Sequence, residues 1–230
     1  QVAYFSGTPE EIGYQQGKLV LLAGGKELEK KHSQLQNQMK SSNKIINTFQ
    51  DLYTKFEILP AFKRHISEEY LQEMKGIKLG VTERKNDNYD EFILSNAAQD
   101  LGLVMGCSIF AAWGNHTKNR ELIMGRNLDH SSFASFTKYQ YLAFYNPVNG
   151  NKFVTLNHPS YIGIMQGMNE KGLAIGMTYS MTKDEELSID GLPYTIMLRK
   201  ILQYADNLDE AINIIKETPR TVGLNIGIAS

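Results

Sequence analysis

The 230-residue chain carries one cysteine, Cys107, set between Gly106 and Ser108 in the apolar run "MGCSIFAAWG". A lone thiol in such a run is ordinarily core filler, since free cysteine is among the most buried residue types. The neighbouring glycine opens a second reading. Gly106 puts no bulk on the carbonyl side of the Gly106–Cys107 bond and permits unusual backbone angles. Attack by the sulfur on that carbonyl would give a thioester that water opens, leaving Cys107 as a new N-terminus. An α-amine has an ordinary pKa of about 8 and a thiol of about 8.5. Such a terminus therefore holds its own base beside its sulfur, able to take the thiol proton. No histidine is required, and the five present (32, 65, 116, 130 and 158) lack metal-site spacing.

Two further features bear on that chemistry. "MGRNLDH", residues 124–130, places Arg126 and Asp129 on the run after the cysteine run. If the two runs form a hairpin, a charged cluster lies beside Cys107. Arg126 would then pair with Asp129, lower the thiol pKa or hold a substrate carboxylate, and Asp129 would orient the new amine. The plain alternative is a hairpin end with solvated polar residues. Asn225, in "TVGLNIGIAS", is either an exposed strand residue or a donor aimed at an oxyanion, a role typically worth about 3–4 kcal/mol of barrier.

The elements that must position these residues fall into three blocks. Residues 1–106 read mainly as helix. Thr8-Pro9-Glu10-Glu11 combines an N-cap, a first-turn proline and a capping-box glutamate. A helix is expected from there, bent or broken at Gly24 and Gly25, followed by a solvated helical stretch over 26–44. Apolar positions 45, 46, 49, 52, 53 and 56 keep a helical period that should end before Pro60. Ser67 is expected to cap a helix with Tyr70, Leu71, Met74 and Ile77 on one side. Asp87-Asn88 should start another reaching about Leu101. From residue 103 the chain alternates apolar runs with turns: 103–113, 121–128, 137–145, 152–157, 161–168 and 172–180. Asn149-Gly150 and Asn169–Gly172 are hairpin signals, so these strands should be antiparallel. Helices over 192–205 and 207–217, the latter capped by Asn207, precede a final strand. The pattern predicts one integrated layered α+β domain, and an end inside an apolar run, without a polar tail, reads as cut short.

The net charge of −1, with both signs interspersed, lacks the basic stripe of a nucleic-acid binder. No apolar run is long enough to cross a bilayer as a helix. A single cysteine excludes an internal disulfide and leaves the redox compartment unread. A first residue of Gln1 rather than Met tilts the expectation toward an exported protein whose leader has been removed. Asn115-His116-Thr117 fits the glycosylation acceptor pattern, which chance alone often produces.

"GCSIFAAWGNHT…GRNLDH" resembles the nucleophile signature of the penicillin (isopenicillin N) acyltransferase-like family, relatives of the choloylglycine hydrolases. "SGTPEEIGYQQGKL", "EEYLQEMKGIKLG", "FILSNAAQDL", "YIGIMQGMNEKGLAIGMTYS" and "PRTVGLNIGIAS" resemble further stretches of that family, so the likeness covers nearly the whole chain. The resemblance implies an N-terminal-nucleophile hydrolase with an αββα sandwich, cut before Cys107 into fragments 1–106 and 107–230 that stay associated. It implies Cys107 as nucleophile, Asp129 as partner of its amine, Arg126 as support and Asn225 in the oxyanion hole. It implies a small amide or acyl substrate and neither metal nor bound organic cofactor; some members use acyl-coenzyme A as a substrate. Two departures stand out. Members usually continue past the asparagine strand, and His130 occupies a place where they often have an aromatic residue. An ester-cleaving phospholipase-B-like hydrolase of the same fold, and an unprocessed binding protein with a buried thiol, are the alternatives.

Overall fold

The computed structural model describes residues 1–22, 44–83, 89–97, 100, 106–129, 139–180 and 188–230. Gly24, Gly25, His130 and nearly all of the helical stretch expected over 26–44 lie outside these residues.

Helix α1 (Pro9–Leu22) starts as its sequence dictates. The Thr8 amide donates to Glu11 Oε2 (2.8 Å), and the Glu11 amide donates to Thr8 Oγ1 (3.4 Å). The helix expected to stop before Pro60 does not stop. α2 (Lys44–Tyr53) runs through a π-helical turn at Thr54–Ile58 into α3 (Leu59–His65), with Pro60 in its first turn. A proline ring clashes with the carbonyl four residues earlier in a regular α-helix; the wider π turn just before Pro60 separates the two. α4 (Glu68–Thr82) begins after Ser67 as expected, but the Ser67 hydroxyl donates to Glu69 and caps no backbone amide. α5 covers Asp90–Ala97, α6 Tyr194–Tyr204 and α7 Leu208–Glu217. Asn207 caps α7, its Oδ1 accepting the Glu210 amide at 3.0 Å.

Six strands form one sheet in the order β1-β4-β5-β6-β7-β8: β1 (Val2–Gly7), β4 (Tyr141–Pro147), β5 (Phe153–Asn157), β6 (Gln166–Asn169), β7 (Ala174–Tyr179) and β8 (Leu224–Ala229). All neighbours are antiparallel except β1 and β4, which run parallel. Hairpin-linked strands have no choice of direction, whereas β1 arrives from far away in sequence and is free to pair either way. The strand expected over 161–168 is confined to β6. A second, two-stranded sheet is the antiparallel ribbon of β2 (Gly106–Ala112) and β3 (Ile123–Asp129).

The structure is thus an α+β sandwich with an antiparallel-rich sheet and flanking helices. Among the described residues three layers of the αββα order are present: helices, the six-stranded sheet, and the ribbon on its other face. Tyr141, Ala143 and Tyr145 of β4 face the helices and are buried, while Leu142 of the same strand is exposed on the opposite face. Between sheet and helices, Glu73 of α4 meets Arg199 of α6 in a buried two-pronged pair, Nη1–Oε1 and Nη2–Oε2 both 2.7 Å. α1 crosses α4 at backbone contact distance: a Cβ added at Gly13 would sit 1.9 Å from the Glu73 carbonyl oxygen, and one at Gly76 would sit 2.2 Å from that of Glu10.

Candidate active site

Alternation along the ribbon decides which groups meet. Cys107 lies opposite Leu128, Ile109 opposite Arg126, and Gly106 opposite Asp129. Directly opposed residues share a face, and successive residues alternate. Cys107, Ile109, Arg126 and Leu128 therefore point inward to the six-stranded sheet. Asn127 and Asp129 point outward.

The inward face is seated by two glycines. Gly176 of β7 and Gly227 of β8 are cross-strand partners. A Cβ at either would stand 3.0 Å or 2.6 Å from Ile109 Cδ1. With no side chains at those two positions, Ile109 drops onto the sheet and brings Cys107 and Arg126 with it.

Arg126 lies across the buried side of the ribbon with every nitrogen engaged. Nε donates to the Met177 carbonyl (3.0 Å), Nη1 to Gln166 Oε1 (2.8 Å) and Nη2 to Cys107 Sγ (3.1 Å). The sulfurs of Met177 and Met165 lie 3.4 Å and 3.8 Å from the same Nη2. Cys107 is half-buried and packs against the sheet's apolar core. Among the described residues no carboxylate pairs with Arg126, so its charge is directed at the thiol.

The pairing of Arg126 with Asp129, one of the roles open to Arg126 from the sequence, does not form. The two residues are three apart on one strand and lie on opposite faces. Asp129 instead accepts from Asn127 Nδ2 (2.6 Å), and its carboxylate stands beside the backbone of Gly106: a Cβ built there would be 3.3 Å from Asp129 Cβ and 3.9 Å from Oδ2. It thus lies on the outer face of the ribbon beside Gly106, on the side away from the sulfur.

Asn225 is on β8, two residues before Gly227, hence on the ribbon side of the sheet. Its exposed amide donates to Thr178 Oγ1 across the strand pair (3.4 Å) and makes no hydrogen bond to Cys107 or Arg126.

A cavity of about 420 Å³ opens beside Arg126, lined by apolar Leu128, Leu156 and Ile164 together with polar Asn157, His158 and Gln166. A larger opening of about 770 Å³ lies between α6, α7 and the helix side of β8 and holds none of the four residues discussed. Gln166, which orients Arg126, is a site residue that the sequence does not announce; its position within "GIMQGMN" offers no signal of its own. Among the described residues no three histidine, cysteine or acidic side chains cluster as metal ligands would, and no helix is long and apolar enough to cross a membrane.

A layered α+β fold thus holds a thiol and a guanidinium in contact on the sheet-facing side of a two-stranded ribbon. The family model described as acyl-coenzyme A:6-aminopenicillanic acid acyl-transferase matches residues 115–230, half of the chain, and the chain belongs to that family. The matched span contains Arg126, Asp129 and Asn225 and begins just after the cysteine strand. Among curated proteins, an uncharacterized protein of Archaeoglobus fulgidus is 25% identical over 95% of this chain. Protein dcd1B of Dictyostelium discoideum is 33% identical over 54% of it, and protein dcd1A of the same organism 24% identical over 73%. The chain spans 39%, 25% and 39% of those three proteins' lengths, well under half of each.

Proposed function

We propose that the protein is a self-processing cysteine amidohydrolase or acyltransferase acting on carbon–nitrogen bonds, with Cys107 as nucleophile. The observation that carries this reading is the 3.1 Å contact between Arg126 Nη2 and Cys107 Sγ, on a ribbon whose other face sets Asp129 beside Gly106. A cation against a thiol stabilises the negative sulfur as it attacks.

In maturation the sulfur attacks the Gly106 carbonyl carbon, the C–N bond breaks, and the thiol proton passes to the departing Cys107 nitrogen. Water then opens the thioester, returning the thiol and leaving a carboxylate on Gly106. In turnover the freed amine takes the thiol proton, the sulfur captures the substrate's acyl carbon, and the leaving amine departs with that proton. Water or an acceptor amine then removes the acyl group. Asp129 holds the amine, Arg126 steadies the sulfur, and Asn225 serves the oxyanion after its amide turns from Thr178. The two fragments stay together because β1 pairs with β4 and Glu73 with Arg199 across the cut. Family membership supports acyl transfer or hydrolysis in general.

Intact-mass measurement of the purified protein tests the reading. Two fragments meeting at 106/107 are expected, with Cys107→Ala remaining whole and inactive toward fatty amides. A continuous chain that turns over substrate, or an active Cys107→Ala, refutes it.

A further inference from the structure

Gln166 opens β6 and faces the ribbon, since its cross-strand partner is Gly176, the glycine on which Ile109 rests. Its side-chain amide is held at both ends. Oε1 accepts from Arg126 Nη1 (2.8 Å), and Nε2 donates to the Leu156 carbonyl of β5 (3.2 Å). A guanidinium only donates and a carbonyl only accepts, so the two contacts fix one orientation of the amide. The backbone beneath is pinned as well, the Gln166 carbonyl accepting the Thr155 hydroxyl at 2.6 Å. The other groups around the guanidinium are the Met177 carbonyl, two methionine sulfurs and Cys107 Sγ. Apart from the ionisable thiol, each of these acceptors is a neutral dipole. A glutamate at 166 would still accept from Arg126, but it could not donate to Leu156. Its negative charge would also draw the guanidinium's field away from the sulfur.

We propose that Gln166 is a positioning residue for the nucleophile, clamping Arg126 against Cys107 while leaving its positive charge uncompensated. This role rests on the reading of Cys107 as the nucleophile. It requires a neutral acceptor at position 166, which anchoring alone would not.

Cys107 is the only thiol in the chain, so iodoacetamide labelling followed by intact mass reads its reactivity, on a whole chain or on a 107–230 fragment alike. Gln166→Glu is expected to slow labelling at neutral pH by about three- to tenfold and to move the labelling profile to higher pH, because a thiolate forms less readily beside a neutralised cation. Gln166→Leu, which frees one guanidinium nitrogen and adds no charge, should slow it about two- to threefold. The same Leu change should add nothing in the Arg126→Met background, since its effect passes through the guanidinium. Gln166→Leu also tests the clamp if the glutamate variant does not fold. Wild-type labelling in either variant, a slower Gln166→Glu whose pH profile has not moved, or effects that multiply in the double variant would each overturn the proposal. An active Cys107→Ala would instead refute the nucleophile reading, and the clamp's part in catalysis with it.

Discussion

Replacing Glu73 by leucine would strip the buried Arg199 of its counter-charge. Both side chains are almost wholly inaccessible, at 2% and 1% exposure. Arg199 also donates through Nη1 to the Ile162 carbonyl (2.9 Å) and is surrounded by the rings of Tyr145, Phe153 and Tyr70 at 4.9–5.4 Å. Breaking a buried ion pair from one side costs about 3–5 kcal/mol, because the remaining charge stays desolvated. The three rings return part of that, since each cation–π contact contributes about 0.5–2 kcal/mol. A loss of about 3 kcal/mol is therefore expected, and with a urea m-value of about 3 kcal/mol/M the midpoint falls by about 1 M. Arg199→Met should lose a similar amount by leaving Glu73 bare. The double variant, with no unpaired charge, should recover to within about 1–2 kcal/mol of the parent. Urea unfolding in the Cys107→Ala background, where the chain is expected to stay whole, measures all four corners of the cycle. A Glu73→Leu midpoint within 0.2 M (roughly 0.6 kcal/mol at that slope) of the parent, or strictly additive losses, would refute the reasoning.

Two other predictions concern the ribbon and a buried acid, Asp100. Arg126→Met should slow iodoacetamide labelling of Cys107 by about tenfold or more, because the cation at 3.1 Å stabilises the attacking sulfur; Arg126→Lys should recover part of that rate, and an unchanged Met rate would sink the assignment. Burial pushes the Asp100 carboxyl up to about 7, against hydrogen bonds from Thr221 and Tyr194 that favour its charge. Its raised value means the fold holds a proton that the unfolded chain releases near 4. The stability it contributes is full below about pH 4 and is lost as pH rises through about 7, a change of up to about 4 kcal/mol. Urea midpoints at pH 4 and 8 should therefore draw apart less in Asp100→Asn than in the parent; parallel profiles would show that Asp100 does not titrate in this window.

Much of the architecture is legible because it depends on neighbours in sequence. The capping box at Thr8, the Asn207 cap and the hairpin turns at Gly150 and Gly172, both at positive φ, are local events. The opposite faces of Arg126 and Asp129 were legible too: three residues apart on a strand means opposite sides, and a cluster of both beside the sulfur was never available. What could not be read were contacts between distant segments. Nothing near Val2 announces a parallel partner at Leu142, and nothing near Gly176 announces Gly227 or the ribbon above them.

By itself the sequence determined the helix starts, the hairpins, the sheet's largely antiparallel sense and the lone thiol behind a glycine, since each follows from residues within a few positions. Only the tertiary structure decided that Arg126 turns to Cys107, that Asp129 lies beside Gly106, and that Asp100 is buried against Tyr194 and Thr221. Those arrangements depend on the packing of segments tens of residues apart, where the available space and the loss of solvent select each partner.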